Sequence, residues 1–430
     1  MATFFIENYG CQMNVAEKDS LRVYLSKKGH LEASSPELAD VIIINTCSVR
    51  KTAETRIEGR LGFYKGLKES SKKDIKVVLM GCMAQSAGID MKKKFPEIVR
   101  VVWGTYNKEG ILNYLNSLEN EKDFLEFGEY KFLEAQPESK FPFKSFVPIS
   151  HGCNNYCSYC IVPYVRGKEI CRKSKEIMEN IIYLVNNGVK EVTLLGQNVN
   201  SYRDENIEFP ELLDSIANKT GIERLTFLTS HPKDFSKRLV EVIKQNPNIM
   251  RTIHLPLQSG SNRILKLMNR KYTIEEYLEK IEWIKSIPGI TISTDIIVGF
   301  PSESDKDFED TLKAINLIQF YEAFMYYYNP RPGTAAEKFP GQIPLEIKKE
   351  RLAELIRIQN EIGFKKKAEF VGSKTSILIE SISKKNKREF TGRTHNGIMT
   401  FVSGKRDLIG KIINVELISI SGSGMKGIIV

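Results

Sequence analysis

The stretch Cys153-Asn154-Asn155-Tyr156-Cys157-Ser158-Tyr159-Cys160 crowds three thiols into one short loop. Thiolates this close together hold three corners of a cubane iron-sulfur cluster and leave the fourth iron open. An open iron chelates a small molecule, and a reduced cluster hands that molecule one electron, so the stretch points to radical chemistry rather than storage. A zinc knuckle is the other reading of such spacing. It needs a fourth ligand, and the nearest is His151, two residues ahead of Cys153.

Outward from the trio, short apolar runs at 146–149, 191–195, 224–228, 252–255, 291–297 and 323–328 read as strands. Helical stretches such as 175–187 and 277–286 lie between them. Six strand-helix units predict an open (β/α)6 partial barrel rather than a closed barrel of eight. Active sites on either design gather at the carboxyl ends of the strands. Four such loops deserve weighing as ligand sites: Gly196-Gln197-Asn198 after the second strand, Gln258-Ser259-Gly260 after the fourth, Gly299 after the fifth, and Arg331 after the sixth. Each is a strand-end loop, so position supports function while chemistry does not single out the residue, and a plain turn is the alternative. Arg331 adds a charge that steers a carboxylate or phosphate.

Toward the amino terminus, runs at 3–6, 41–44, 77–80 and 101–103 are strand-like, with helical spacing after each. Buried parallel strands with helical crossovers predict a doubly wound sheet, whose ligands sit beyond the carboxyl ends of the strands. Cys11, Cys47 and Cys82 fall at the ends of the first three runs, separated by one strand-helix repeat each. Parallel strands end on one edge, so this repetition predicts a second three-thiolate site, with helix amino termini that favour negative charge. Three small buried hydrophobes are the alternative.

The pattern therefore predicts an α/β chain in parts: an amino-terminal sheet domain over 1–120, a linker over 121–144 carrying Pro137 and Pro142, the partial barrel over 145–343, a linking helix over 344–368, and a small carboxyl-terminal β-barrel over 369–430. From 370 to 430 there are ten Lys or Arg against four Asp or Glu, so this seventh of the chain holds +6 of the formal +10. A basic surface on a small barrel suits backbone-directed RNA binding, and an ordinary solvated domain is the alternative.

Seven cysteines form no paired, secreted framework, no charged-then-apolar leader opens the chain, and no apolar run is long enough to span a membrane. A soluble cytoplasmic protein with reduced, metal-available thiols is expected. No Ser/His/Asp set or phosphate-cradling loop appears, and the five histidines are scattered, so hydrolase and kinase readings have little to stand on.

The C-x3-C-x2-C spacing with an aromatic before the last Cys resembles the radical S-adenosylmethionine (SAM) superfamily. That resemblance implies that Cys153, Cys157 and Cys160 hold a catalytic [4Fe-4S] cluster whose open iron binds SAM, that Tyr159 packs near the adenine, and that reductive cleavage gives a 5′-deoxyadenosyl radical. Gly10-Cys11-Gln12-Met13-Asn14, Cys47, Cys82, the central trio and the basic terminal barrel together resemble the methylthiotransferase family across essentially the whole chain. The family resemblance implies an auxiliary [4Fe-4S] cluster on Cys11, Cys47 and Cys82, a TRAM domain that binds RNA, and two molecules of SAM per turnover. SAM contacts are implied at Gly196, Gln197, Asn198, Gln258, Ser259, Gly299 and Arg331. Partners implied are the anticodon stem-loop of tRNA, an electron donor such as flavodoxin or ferredoxin, and a sulfur source.

Three branches of that family act on isopentenylated adenosine in tRNA, on threonylcarbamoyl-adenosine in tRNA, or on an aspartate of a ribosomal protein. Residues 161–169 and especially Leu194-Leu195-Gly196-Gln197-Asn198-Val199-Asn200 resemble the first. One departure is Cys171, where serine is expected; it matches no cluster position and reads as a non-ligating thiol. A two-cluster electron carrier and a non-catalytic RNA-binding protein are the rivals from other classes.

Overall fold

A computed structural model describes residues 1–48, 51–71 and 74–430. The chain divides into two units, the first made of residues 1–154, 161–189 and 194–197, the second of 155–160, 190–193 and 198–430.

In the first unit, strands β1 (Thr3–Asn8), β2 (Leu31–Glu32), β3 (Val41–Thr46), β4 (Lys76–Gly81) and β5 (Val99–Trp103) alternate with helices α1 (Gln12–Lys27), α2 (Lys51–Ser71), α3 (Cys82–Lys94) and α4 (Ile111–Ser117). The strands form one parallel sheet in the order β2-β1-β3-β4-β5. Alternation along β3 explains the double winding. Ile42 and Ile44 face a core with Ile57, Leu61 and Val77, whereas Val41 and Ile43 face one with Phe4, Leu21 and Leu25. The edge strand β2 was not anticipated, because two exposed residues carry no periodic signal.

The segment expected as a linker is held by its aromatics and one carboxylate. Asp123 accepts from the Val102 backbone N–H at 2.8 Å, and Phe124 stacks on Trp103 with centroids 5.3 Å apart. The unit continues through β6 (Lys144–Pro148), β7 (Ser150–His151), α5 (Val162–Arg166), β8 (Ile170–Cys171) and α6 (Ser174–Asn186). Cys171 lies in β8, paired with Ser150.

Strand β9 (Glu191–Leu195) has residues in both units. The second unit adds a small hairpin, β10 (Arg203–Asp204) and β11 (Ile207–Glu208), then α7 (Phe209–Lys219), β12 (Arg224–Phe227), α8 (Lys237–Gln245), β13 (Thr252–His254), α9 (Asn262–Leu267), α10 (Ile274–Lys285), β14 (Thr291–Val298), α11 (Asp305–Ile318), β15 (Glu322–Tyr327) and α12 (Leu345–Ala368). The six strands anticipated for the partial barrel thus form as β6, β9, β12, β13, β14 and β15, and helices follow each. Strands β13, β14 and β15 pair in parallel.

The tail closes into a five-stranded barrel, β16 (Lys374–Ile382), β17 (Glu389–Thr394), β18 (Met399–Ser403), β19 (Ile412–Ser421) and β20 (Gly424–Ile429), in the order β16-β17-β18-β20-β19. Ile377, Ile379, Phe390, Val402, Val415 and Leu417 fill it. Its β17–β18 turn docks on the preceding strands through buried Arg224, which ion-pairs with Glu191 at 2.8 Å and donates to the Arg393 and Thr394 carbonyls at 3.0 Å each. Backbone continues that contact, with Arg251 N–H donating to His395 O at 2.9 Å.

Candidate functional site: two cysteine sets

Strands β1, β3 and β4 are neighbours in the sheet, and Thr46 pairs with Gly81 at their ends, so the loops that follow emerge side by side. Cys11 sits just ahead of α1, Cys47 just after β3, and Cys82 is the first residue of α3. An amide lock holds the three turns. Asn14 Nδ2 donates to Asn45 Oδ1 at 2.8 Å and to Thr46 O at 3.0 Å, while Asn45 Nδ2 returns a bond to Asn14 O at 3.0 Å. Thr46 Oγ1 accepts from the Ala84 N–H at 3.0 Å, which ties β3 to the first turn of α3. Gly10 is required here, since a Cβ would stand 2.4 Å from Asn14 Oδ1. Gly81 is too, with φ +93 and a Cβ that would meet Thr46 O at 2.6 Å.

Cys47 and Cys82 are buried and Cys11 is exposed. A hydrogen bond from Cys47, assisted by the nearby Arg166 charge, lowers the Cys11 thiol to about 6. Burial pushes the Cys82 thiol up, opposed by Arg166. Among the described residues there is no group of three or more His, Cys, Asp or Glu that could hold a metal ion. Three thiols carried on the loops after adjacent strands, with Arg166 at one of them, suit a cubane, which spreads its ligands around four irons.

Behind the thiols lies a buried charged network that sequence reasoning missed. Arg166, at the end of α5, donates from Nε to Cys82 Sγ at 3.1 Å and from Nη1 to Glu17 Oε1 at 2.9 Å. Lys108 Nζ reaches the same Glu17 oxygen at 3.0 Å and donates to the Tyr130 hydroxyl at 2.9 Å. Tyr130 stacks on His151 at 3.8 Å between centroids. Burial, then the Arg166 charge, holds His151 well below its ordinary range, so the imidazole is neutral. Glu17 is the residue three after Asn14 on α1, and that spacing of polar residues on one helix face was the available signal.

In the second unit, residues 155–160 carry Cys157, Tyr159 and Cys160, both cysteines partly exposed. Ser158 anchors the loop at three points: its N–H donates to Met268 O at 3.1 Å, its hydroxyl to Leu267 O at 2.8 Å, and its carbonyl accepts from Ala336 N–H at 2.8 Å. Arg270, also buried, donates to Cys157 Sγ at 3.3 Å and to the Tyr272 hydroxyl at 3.2 Å. Tyr159 packs edge-on against Phe300, centroids 6.5 Å apart. Cys153 belongs to the first unit, where its N–H donates to Gly167 O at 3.2 Å.

Around the strand ends of the second unit lie buried polar atoms that no side chain or backbone group satisfies: both amide atoms of Asn200, the Ser230 hydroxyl, His231 Nε2 and Gln258 Oε1. Such orphans cost about 1–3 kcal/mol each unless a ligand meets them. His231 Nδ1 accepts from the Lys233 N–H at 3.2 Å, which leaves Nε2 as the protonated, donating nitrogen. Burial, then Arg270, drives this ring down to about 2, so it stays neutral. Gln258 adopts φ 68, a left-handed backbone that a non-glycine residue holds only under constraint. This mixture of donors and acceptors suits a zwitterionic ligand with ribose hydroxyls, such as SAM.

The other expected contacts are placed less openly. Asn198 spends its amide on the His231 N–H and on Asp234, and Ser259 spends its hydroxyl on Thr311 and the Ser261 N–H. Gly299 has φ +66 and its N–H bonds Glu303 at 2.8 Å, while a Cβ there would meet Lys348 Cγ at 2.4 Å. The Arg331 carbonyl closes the turn to Thr334. Gly196 and Gln197 belong to the first unit, at the end of β9.

One sheet face in the second unit went unremarked in the sequence. The parallel register puts Ser293, Asp295 and Ile297 of β14 beside Glu322, Phe324 and Tyr326 of β15. Phe324 and Tyr326 are 44% and 43% exposed, unusual for aromatics on a paired strand. His254 of β13 joins this face, bonded to Ser293 at 3.0 Å and to Asp295 at 3.2 Å. The face ends at Ile297, which packs in the cluster that also holds Tyr159.

Comparison with known proteins covers nearly the whole chain. A model of the radical SAM superfamily matches residues 147–315, one described as uncharacterized protein family UPF0004 matches 3–104, and a TRAM domain model matches 368–422. A tRNA-2-methylthio-N(6)-dimethylallyladenosine synthase of Clostridium botulinum is 42% identical over 99% of this chain and 96% of its own. The protein of the same name from Treponema denticola is 44% identical over 98% of each. Among solved structures, the radical SAM methyltransferase TsrM of Kitasatospora setae superposes with TM-score 0.58 at 12% identity over 78% of this chain and 75% of that one, a likeness of fold alone.

Proposed function

The chain belongs to the family of tRNA-2-methylthio-N(6)-dimethylallyladenosine synthases, and from that membership we propose that it converts N6-isopentenyladenosine beside the tRNA anticodon to its 2-methylthio derivative. The observation that carries the reading is the pair of cysteine sets, one on a loop beside Tyr159 and Arg270, the other at three adjacent strand ends beside Arg166. When bound, two [4Fe-4S] clusters and SAM would supply one-electron cleavage of one SAM and, from a second SAM, a methyl group for a sulfur held at the auxiliary cluster, chemistry suited to an adenine C–H that has no acidic proton to lose.

The protein's part is to hold, orient and exclude water. Cys153, Cys157 and Cys160 are the thiolates for one cluster, with Arg270 offsetting charge at Cys157, and Cys11, Cys47 and Cys82 those for the other. Tyr159, packed on Phe300, gives the SAM adenine an apolar wall. Asn200, Ser230, His231 and Gln258 offer the amino-acid and ribose ends of SAM the partners their own buried atoms lack. Phe324 and Tyr326 stack the target base, and the His254–Asp295 pair meets its polar edge. The isopentenyl tail adds burial worth about 0.8 kcal/mol per CH2.

The basic terminal barrel takes tRNA phosphates. An electron donor of flavodoxin or ferredoxin type and a sulfur source complete the reaction in the cytoplasm. Among the described residues no helix is long and apolar enough to cross a membrane.

Reduced, reconstituted protein offered anticodon stem-loops with plain, isopentenylated or threonylcarbamoylated adenosine, alongside the ribosomal-protein aspartate, tests the reading. Methylthiolation of the isopentenyl form in preference to the rest is expected. Preference for either of the last two would overturn the branch, and failure to form 5′-deoxyadenosine would favour an electron carrier or an RNA-binding protein.

A further inference from the structure

Arg166 is 2% exposed, and the one carboxylate that pairs with it is shared with a second cation. Glu17 is one carboxylate between two cations, Arg166 and Lys108. The surplus positive charge points through Nε at Cys82 Sγ, 3.1 Å away. Buried charge is tolerated only when paired, so this arrangement is complete when the sulfur side carries negative charge. Arginine suits the position because its fork serves sulfur with one nitrogen and carboxylate with another, in one plane.

The backbone is fixed as firmly as the side chain. Thr105 Oγ1 donates to Val165 O at 2.7 Å and the Tyr106 hydroxyl to Arg166 O at 3.2 Å. Three elements, α1, the turn after β5 and α5, thus converge to aim one guanidinium at one thiol.

Hydrogen bonds and cations at ligand sulfurs stabilise the more negative, reduced state of an iron-sulfur cluster. Resting on the reading that Cys11, Cys47 and Cys82 hold a [4Fe-4S] cluster, we infer that Arg166, held by Glu17, is a positioning residue that raises that cluster's reduction potential. Glu17 acts in the opposite sense, since its negative charge partly cancels the cation it orients. Reduction adds one electron to the cluster, supplied in the test by dithionite, and that charge falls beside Arg166.

The test uses the full chain with Cys153, Cys157 and Cys160 changed to Ala, reconstituted so that a single cluster remains, with iron and sulfide counted before an EPR-monitored redox titration. Arg166→Gln is expected to move the midpoint negative, Arg166→Lys to move it negative by less, and Glu17→Gln to move it positive. Should Arg166→Gln fail to fold, Lys108→Met and Glu17→Gln still carry opposite expected signs, negative and positive. Full iron loading with unmoved midpoints, or shifts of one sign for all variants, would overturn the inference and leave the cluster assignment standing. A parent that binds no iron would overturn the assignment itself.

Discussion

The two cysteine sets reach a common composition by opposite routes. Cys153, Cys157 and Cys160 are near neighbours in sequence, and Cys157 and Cys160 lie on either side of Ser158, which three hydrogen bonds clamp. Cys11, Cys47 and Cys82 are separated by whole strand-helix units and meet because β1, β3 and β4 are adjacent in a parallel sheet. A local motif survives changes elsewhere in the fold; a topological one depends on register, on the Asn14–Asn45 lock and on the glycines that let the turns close. Each set also has its own buried arginine, Arg270 at Cys157 and Arg166 at Cys82.

That contrast is easiest to break at the local set. Replacing Cys153, Cys157 and Cys160 by Ala is expected to abolish 5′-deoxyadenosine formation, down to the rate with reductant alone, while about half the iron stays bound. Loss of all iron would mean that the strand-end set holds no cluster of its own. The lock is the corresponding weak point of the distant set: Asn14→Ala is expected to lower iron bound there while leaving SAM cleavage intact, read as iron content and 5′-deoxyadenosine in one preparation.

A smaller effect is expected at the aromatic face of β15. Stacking on a base is worth about 1–3 kcal/mol, so Phe324→Ala and Tyr326→Ala should each weaken stem-loop binding by about 5- to 150-fold. SAM cleavage without RNA should hold, and unchanged RNA affinity in both variants would remove this face from the substrate site. Changing Lys384, Lys385, Lys387 and Arg388, all exposed, to Gln should flatten the salt dependence of tRNA binding, by up to about 3 in the log-log slope if each meets a phosphate. A slope identical to that of the parent would make this loop a solvated turn.

The mildest expectation concerns pH. Burial first, then Arg224 and Arg251, lowers His395 to about 4 in the docked barrel. The unfolded chain, with an ordinary histidine near 6.5, then binds more protons between those values, so stability is full above about pH 6.5 and declines toward pH 4. A lower Tm at pH 5 than at pH 7 is expected, with a smaller difference in His395→Gln; equal differences would place the pH sensitivity elsewhere.

Much of the architecture was legible because apolar runs and helical spacing are local signals. The alternating faces of β3 and the strands of the partial barrel follow from them. The strand-end cysteines were legible through one rule, that parallel strands finish on one edge. What spacing does not report is how a side chain far along the chain is spent. Glu17 and Arg166 lie 149 residues apart and become one charged unit only in the fold. His231 escaped notice although the polar run Thr229-Ser230-His231 ends a strand, since a lone histidine before proline resembles a turn. Asn198 stood out for its motif, yet its amide orders the His231 loop, which is a contact between distant residues and leaves no trace in either stretch.

The central claim, that the two sets divide the chemistry, meets its most direct test in the variant with Cys11, Cys47 and Cys82 all changed to Ala. The reduced variant would be given SAM and an isopentenylated anticodon stem-loop, and both products followed by mass spectrometry. The account predicts continued 5′-deoxyadenosine with no methylthiolated nucleoside. Undiminished methylthiolated product would contradict it.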